Sequence, residues 1–537
     1  MKENLLEKGS IVRVEAFKII NEIKAIAQKY NPDGYIDMSR GDPCYPPSVL
    51  ADEVFVFFQI VKNYVQDQLK GKSVISGLGF SEIAEAYNKA KKIYKKEIVE
   101  KADEILKEIE KLLPGKTVED LWIDLVRGFQ SSGYGDIAGE IEVRAVVAHY
   151  LKEKLGLKHI DKEDIILTLG AAEAIGKIFD LFGDKYMLHY LSDKDYVATL
   201  SPVYGPYNAI ISYAKLPLKL LPLSVSQRNN FLPEESEIDR FENEAKTKKP
   251  RLLILVNPSN PTGRVYDEKT LERLAEIFQN IEIPGYECKG SIIIEDIVYA
   301  DFLPDKFISI SNFAPCNTII IGSMSKFFRA TGNRLGYIVI PKETDDFLKK
   351  FFSWSIKFSP ILNRIVKYKP DYSFKDLLCL VKSPDPVGAL SHTHLVPKIA
   401  QYLGMIRLLI DDGKEYLNTM REKWETFYSG IDYWPFDISE KDNFVPYYCL
   451  VDFKDLILQK RDSYPILCSK INENKIEPEE LISLLAKNGL VGLPAATFYK
   501  EAKEKHKWTV RFSVANVEIE HVEKACEIIK RSLNELN

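Results

Sequence analysis

The stretch Thr318–Pro341, TIIIGSMSKFFRATGNRLGYIVIP, decides how the fold is read. An apolar, β-branched run ends in Ser323-Met324-Ser325-Lys326, and a second such run, LGYIVIP, begins at Leu335. A lysine just past a buried strand forms an imine with an aldehyde cofactor if its amine is partly desolvated and its pKa falls. Ser323 offers a hydroxyl and Arg334 a fixed fork, both suited to a phosphate. S-x-S-K alone fits a solvated strand-end lysine as well.

Upstream, the same texture recurs from about Asp164. DIILTLG, DYVATLS, LLILVNP and SIIIEDI are short apolar runs, and AAEAIGKIFDLF and EKTLERLAEIFQNI are helical patterns between them. Near-continuous apolar strands alternating with helices predict an α/β fold, with a mostly parallel sheet covered on both faces. Ligands of such sheets sit beyond the carboxyl ends of the strands. The flanks read differently. Up to about Leu125 the chain is largely helical in pattern, and Phe80–Leu113 reads as an amphipathic surface helix. Thr117-Val118-Glu119-Asp120 reads as a helix N-terminus. After Ala389, helical patterns over Gln401–Phe427 lead to strand-like PYYCLVDF and TVRFSVAN around a helix starting near Pro478, a smaller α/β domain. The expected division is an N-terminal segment 1–130 with a helical insertion, a large domain 131–390 and a small domain 391–537.

Several strand ends carry polar residues. Asp296 closes SIIIED and precedes Tyr299 by one short turn. A carboxylate facing a pyridine nitrogen keeps that nitrogen protonated and makes the ring an electron sink; a helix cap is the plainer role. Tyr299 and Asn260, in NPSNPTG, are candidate donors to the ring's phenolic oxygen, and Pro-Thr-Gly fixes a tight turn. Gly170-Ala171-Ala172 joins a strand to a helix, where exposed backbone N–H groups make an anion site. Tyr204 follows another strand, as a stacking ring or a core tyrosine.

The 537 residues allow a large core and two or three domains. With 73 basic and 78 acidic residues, the net charge of -5 argues against general nucleic-acid affinity. No apolar run approaches the roughly 18 residues of a membrane span, and the N-terminus lacks a signal core. Seven scattered cysteines without a CxxC pair suit a reducing cytoplasm. His392 and His394 form an H-x-H pair with no acidic or cysteine partner nearby in sequence, and no metal site is expected.

The ordered set Gly41, Tyr134, Gly170-Ala171-Ala172, Tyr204, NPTG, Asp296 with Tyr299, SxSK with Arg334, and Arg511 resembles the class I aminotransferase family over roughly residues 35–520. The resemblance implies the fold type I architecture and pyridoxal 5'-phosphate (PLP). It makes Lys326 the catalytic lysine, which carries the cofactor as a Schiff base and moves the α-proton. Asp296 pairs with the pyridine nitrogen, Tyr299 and Asn260 contact O3′, and Tyr204 stacks on the ring. Ala171, Ala172, Ser323 and Arg334 hold the phosphate, with Tyr134 reaching in from a neighbouring subunit. Arg511 grips the substrate α-carboxylate, and the shared site implies a homodimer or a larger assembly of dimers.

Length, the helical insertion between Gly41 and Tyr134, and the second long stretch Phe351–Ala389 look like the bifunctional aspartate 4-decarboxylase/aspartate aminotransferase branch. Arg40-Gly41-Asp42-Pro43 is similar to that branch's RGNP-type segment, with Asp42 in place of asparagine. His394 breaks the HTAG-like pattern that follows the insertion, and NPTG is the ordinary aminotransferase form. For the distal carboxylate of aspartate, Arg40 is the first candidate and Lys18 the second. An aminotransferase alone is the nearest alternative. A ligand-sensing transcription regulator would carry a basic helix-turn-helix module ahead of this domain, and the N-terminus has no basic cluster.

Overall fold

The computed structural model describes residues 18–69, 78–130, 135–183, 190–207, 218–286, 288–359, 369–382, 395–410, 412–499 and 506–537, with 188, 362–363 and 366–367 between them. The strands among them are β1 (Ile36–Asp37), β2 (Ile165–Thr168), β3 (Tyr196–Ser201), β4 (Lys219–Ser224), β5 (Leu252–Val256), β6 (Ile292–Asp296), β7 (Thr318–Ser323), β8 (Gly336–Val339), β9 (Tyr448–Asp452), β10 (Leu490–Val491), β11 (Leu493–Pro494) and β12 (Thr509–Ser513). The chain divides into two compact units. The first comprises Met1–Tyr45, His189–Phe313 and Lys414–Asn537; the second comprises Pro46–Leu188 and Ala314–Gly413.

In the first unit, four parallel strands run in the order β4-β3-β5-β6. Every residue of β5 and β6 is buried, which is why LLILV and SIIIED read as unbroken apolar runs rather than alternating ones. Strand β4 sits at the end of this row, and its Pro222 cannot donate to a ladder, as befits an edge. The same unit holds the antiparallel sheet β11-β12-β9 and the short parallel pair β1-β10. Helix Pro478–Lys487 begins with proline in its first turn, where the missing N–H costs nothing.

In the second unit, β8 pairs antiparallel with both β2 and β7. The expected alternation of strands with crossover helices stops here. The segment Met324–Leu335 that joins β7 to β8 carries a single 3-10 turn, Thr331–Asn333, and not the α-helix that usually makes the crossover between parallel strands. Helix Ala171–Phe182 packs on β7 and β8, and helix Phe374–Lys382 packs on it in turn.

The N-terminal helices of this unit assemble around Val49–Leu69, which contacts Phe80–Ile93, Lys96–Leu112, Val118–Phe129 and Lys398–Leu409. Phe58 meets Trp122 edge-on at 5.2 Å, and Phe129 meets Tyr402 at 5.2 Å, so a chain of aromatic contacts runs through a core otherwise made of Val, Ile, Leu and Ala. Thr117 caps its helix as expected, accepting from the Asp120 N–H while Asp120 reaches back to the Thr117 N–H. The single helix expected over Phe80–Leu113 is two. Tyr94 is extended (φ -104°, ψ 157°), with its ring 5.5 Å from Phe57 and its hydroxyl 3.2 Å from the Glu53 carbonyl. The break lets both halves pack on Val49–Leu69, and that burial outweighs the local helical pattern. No helix among the described residues is long and apolar enough to cross a membrane.

On β6, Glu295 is fully buried and accepts from Ser309 Oγ, from the Ile310 N–H at 3.1 Å and from Asn257 Nδ2 at 3.3 Å. Burial pushes its carboxyl up to about 7 against the opposing effect of those donors. An unfolded glutamate releases its proton near pH ~4.3, so between the two values the folded chain holds more protons and its stability falls as pH rises. Urea unfolding of wild type and Glu295→Gln at about pH 5 and about pH 7.5 should show the wild type losing stability relative to the variant at the higher pH. An unchanged difference would show that Glu295 does not titrate in this window.

Candidate active site

The first unit places its polar residues where strand order reverses. After β3 the chain moves outward to β4, then returns to the other side of β3 as β5. The carboxyl ends of β3, β5 and β6 lead respectively into Tyr204, Asn260 and Asp296 with Tyr299, at the kind of edge where open α/β sheets bind ligands.

Asp296 is 5% exposed, and its carboxylate is fixed from two sides. The Val298 N–H donates to Oδ1 at 3.0 Å, and the Tyr207 hydroxyl donates to Oδ2. Burial, then the Asp296 charge, raises the Tyr207 phenol well above its ordinary pKa, so it stays a donor. Tyr204 is no core tyrosine: it is 38% exposed, and its ring lies edge-on to Tyr207 at 5.8 Å.

Asn260 sits at the centre of a second constellation. Its Nδ2 donates to the Tyr299 hydroxyl at 3.4 Å, and its Oδ1 accepts from Arg511 Nη1 at 3.1 Å. The Pro-Thr-Gly turn is held by the Ser259 carbonyl, which accepts from the Gly263 N–H at 2.8 Å. Arg511 lies on β12, opposite Leu450 of β9, and is only 4% exposed. Its Nη2 donates to the Ser39 carbonyl at 3.2 Å, and its guanidinium carbon lies 4.0 Å from the Tyr448 ring centroid and 5.1 Å from that of Phe498. Nε is buried without a partner, and no carboxylate among the described residues pairs with this cation. A buried guanidinium in that state is a receptor for an anion. Tyr299, at 5% exposure, is raised well above the ordinary tyrosine pKa by burial and then by Tyr448 and Tyr447, so it too remains a hydrogen-bond donor.

In the second unit, Ser323 ends β7, and its Oγ lies 2.8 Å from that of Ser325; the Ser325 N–H also points to Ser323 Oγ at 3.2 Å. Lys326 follows in the half-buried turn. Arg334 donates to the Leu169 carbonyl at 2.7 Å and to the Thr331 carbonyl at 3.3 Å, which brings it to the turn before helix Ala171–Phe182. Gly170 is the N-cap of that helix with φ 92°, and an added Cβ would lie 2.9 Å from Arg334 Nη2. The first N–H groups of the helix, at Ala171 and Ala172, have no intrahelical acceptor and carry the positive end of its dipole. Within this unit, the two serines, the arginine and the helix start are thus an anion-binding set of donors.

Other expected site residues lie elsewhere. Arg40 is exposed and pairs with Asp42, next in the chain to the Ser39 carbonyl that Arg511 holds. Gly41 receives the Tyr448 hydroxyl against its Cα, where any side chain would collide. Lys18 is 71% exposed on the helix 18–30 and pairs with Glu22 at 4.0 Å. Tyr134, His392 and His394 fall outside the described residues. Sequence reasoning missed Tyr207, Tyr448 and Phe498. Tyr207, three residues past Tyr204, had a local signal; Tyr448 needed the β9–β12 register.

The family described as Aminotransferase class I and II matches residues 126–529. This chain therefore belongs to the class I and II aminotransferases. A Petunia hybrida protein named bifunctional aspartate aminotransferase and glutamate/aspartate-prephenate aminotransferase is 34% identical over 209 residues, 39% of this chain and 40% of that one. A Pseudomonas protein named bifunctional aspartate aminotransferase and L-aspartate beta-decarboxylase is 26% identical over 329 residues, 58% of this chain and 57% of that one. The chain spans about half the length of the curated relatives it matches. The solved alanine aminotransferase of Pyrococcus furiosus is 16% identical, covers 96% of this chain and 97% of its own, and has a TM-score of 0.60, a likeness that shows the fold: α/β, with a mostly parallel sheet flanked by helices.

The family works with pyridoxal 5'-phosphate. The residues present fit it. The donors beside Gly170 suit a phosphate, the fixed Asp296 suits a protonated ring nitrogen, and Arg511, which has no carboxylate partner among the described residues, suits a substrate carboxylate. Gly170→Ala should cost about 1–3 kcal/mol of stability, because its backbone is one that side chains rarely adopt. The same change should weaken retention of the cofactor on gel filtration, since the new Cβ pushes Arg334 away. Full retention at wild-type stability would show that the turn tolerates a side chain.

Proposed function

We propose that this protein is a PLP enzyme that converts L-aspartate to L-alanine and CO2 and also transaminates aspartate with 2-oxoglutarate. The observation that carries the reading is the match to the Pseudomonas bifunctional protein, which reaches over 329 residues, against 209 for the Petunia relative. The helices of Val49–Phe129, most of which precede the family match at residue 126, agree with a branch that has an insertion there.

Bound pyridoxal 5'-phosphate supplies an aldehyde that takes up the amino group and a ring that accepts electrons. Lys326 would anchor it through Nζ and would hold and move the substrate's α-proton. Asp296 holds a proton at the pyridine nitrogen, with its two oxygens fixed by Tyr207 and the Val298 N–H. Tyr299 and Asn260 would donate to its phenolic oxygen, and Tyr204 would stack on its ring. Ala171, Ala172, Ser323 and Arg334 would hold the phosphate, and Tyr134 would add a donor from a second copy in a homodimer. Arg511 grips the α-carboxylate bidentately.

The partition between the two reactions depends on the distal carboxylate. A tight bidentate grip would stabilise it in the ground state and oppose loss of CO2, since only interactions stronger in the transition state accelerate a step. Arg40, half-committed to Asp42 and exposed, is the proposed weak grip, with Lys18 the second candidate. An aminotransferase acting on aspartate or another amino acid is the alternative.

Purified, PLP-loaded protein given L-aspartate should form alanine and CO2 without an added keto acid, followed by NMR. Glutamate and oxaloacetate formed only with 2-oxoglutarate would make it an aminotransferase alone. Arg40→Ala should raise KM for aspartate about tenfold while leaving alanine binding within about twofold, the loss expected for one charge-assisted contact. Equal effects on the two amino acids would remove Arg40 from the distal site.

A further inference from the structure

Tyr448 is used by nothing in the reading above, yet it touches three parts of the first unit's constellation. It lies on β9, where Ser513 is its partner across the ladder, and is 4% exposed. Leu450, two residues along the same strand, stands opposite Arg511, so Tyr448 and Arg511 share one face on the diagonal. The guanidinium carbon of Arg511 sits 4.0 Å from the Tyr448 ring centroid, within the range of a cation–π contact. The Tyr448 hydroxyl lies 2.8 Å from that of Tyr299, and it abuts Gly41 so closely that a Cβ there would collide. Among the described residues that hydroxyl makes no other hydrogen bond.

The hydrogen-bond direction follows from counting donors. Tyr299 has one proton and is reached by Asn260 Nδ2 at 3.4 Å and by the Tyr448 hydroxyl at 2.8 Å. If the Tyr299 proton points toward a cofactor oxygen, both neighbours must donate into the Tyr299 oxygen. A phenol that accepts two hydrogen bonds is a stronger donor in turn, because aligned hydrogen bonds polarise one another.

We propose that Tyr448 is a dual positioning residue: its ring is the platform that holds Arg511 flat for a carboxylate, and its hydroxyl strengthens Tyr299 as a donor to the cofactor. This rests on the proposed placement of Tyr299 and Arg511 toward cofactor and substrate. The two functions reside in different atoms of one side chain and separate on mutation. Gly41 is required as glycine to admit that hydroxyl, which gives the Arg40-Gly41 segment a structural reason independent of substrate contact.

The test uses the cofactor-loaded protein, with two readouts: the pH midpoint of its visible absorption, which follows the proton held beside the cofactor, and the Kd of maleate as a dicarboxylate probe. Tyr448→Phe keeps the ring and loses the hydroxyl. It should move the midpoint upward by about half a unit while maleate Kd stays within about threefold. Tyr448→Leu loses both and should show the same midpoint shift with maleate binding weakened about tenfold. Tyr299→Phe is the reference and should raise the midpoint further, and Tyr448→Phe added to it should have no additional effect.

A fixed midpoint in Tyr448→Phe beside a moved one in Tyr299→Phe would overturn the hydroxyl's function. Wild-type maleate affinity in Tyr448→Leu would overturn the platform. A fixed midpoint in Tyr299→Phe itself would instead remove the placement of Tyr299 at the cofactor. Should the leucine variant not fold, as judged by circular dichroism, Gly41→Ala replaces it. Its new Cβ meets the Tyr448 hydroxyl and the ring carbons behind it, so the whole ring must shift; the change should both raise the midpoint and weaken maleate, and wild-type values for both would overturn the proposal.

Discussion

A guanidinium buried without a carboxylate is the constraint around which the first unit is arranged. Arg511 is 4% exposed, yet its hydrogen bonds go to an amide oxygen and a backbone carbonyl, and Nε has no partner. Taking a cation out of water costs several kcal/mol that neutral acceptors only partly offset. The surroundings make that tolerable. The Tyr448 and Phe498 rings present their negative faces, and Asn260 and Ser39 present oxygens. A carboxylate ligand would complete the set, which is the place the proposed function gives to the substrate.

Asn260 then becomes more than a loop residue. One side-chain amide accepts from Arg511 and donates to Tyr299, so a carboxylate receptor and a phenolic donor are oriented by the same group. Asp296 is treated in a similar way, with one donor on each oxygen. Polar groups this deeply buried are costly unless fully bonded, and once bonded they fix geometry more firmly than apolar packing does. The second unit solves a different problem with different means. Its donors are backbone N–H groups, hydroxyls and the Arg334 fork near a glycine turn, which suits an anion approached closely by backbone.

Sequence patterns alone sufficed for a good part of this. The unbroken apolar runs of β2, β3 and β5 to β8 were legible because strands buried on both faces carry a composition no surface element has. The ends of those strands were legible too, since each polar residue there has a plain role as cap or turn and only their shared position beyond several strand ends points to a site. Asp296, Asn260 and the Ser323–Lys326 turn stood out on that ground, and Thr117 by its capping chemistry. Family membership followed from the order of these pieces, which no single motif carries.

Tertiary structure decided the rest. Tyr448 and Phe498 look like any aromatic residue in a strand or loop, and only the pairing of β9 with β12 sets the tyrosine ring beneath Arg511. Tyr207 became a partner of Asp296 because β3 and β6 flank β5, a neighbourhood that hydrophobic periodicity does not encode. The break at Tyr94 arose from the space around Phe57, against a locally continuous helical pattern. The antiparallel course of β8 goes with a connection that has no crossover α-helix, and the composition of β8 does not announce it. The division has a physical cause: burial, capping and turn chemistry act between residues close in the chain and leave a local trace. Register and strand order bring together residues hundreds of positions apart, and their trace exists only in the fold.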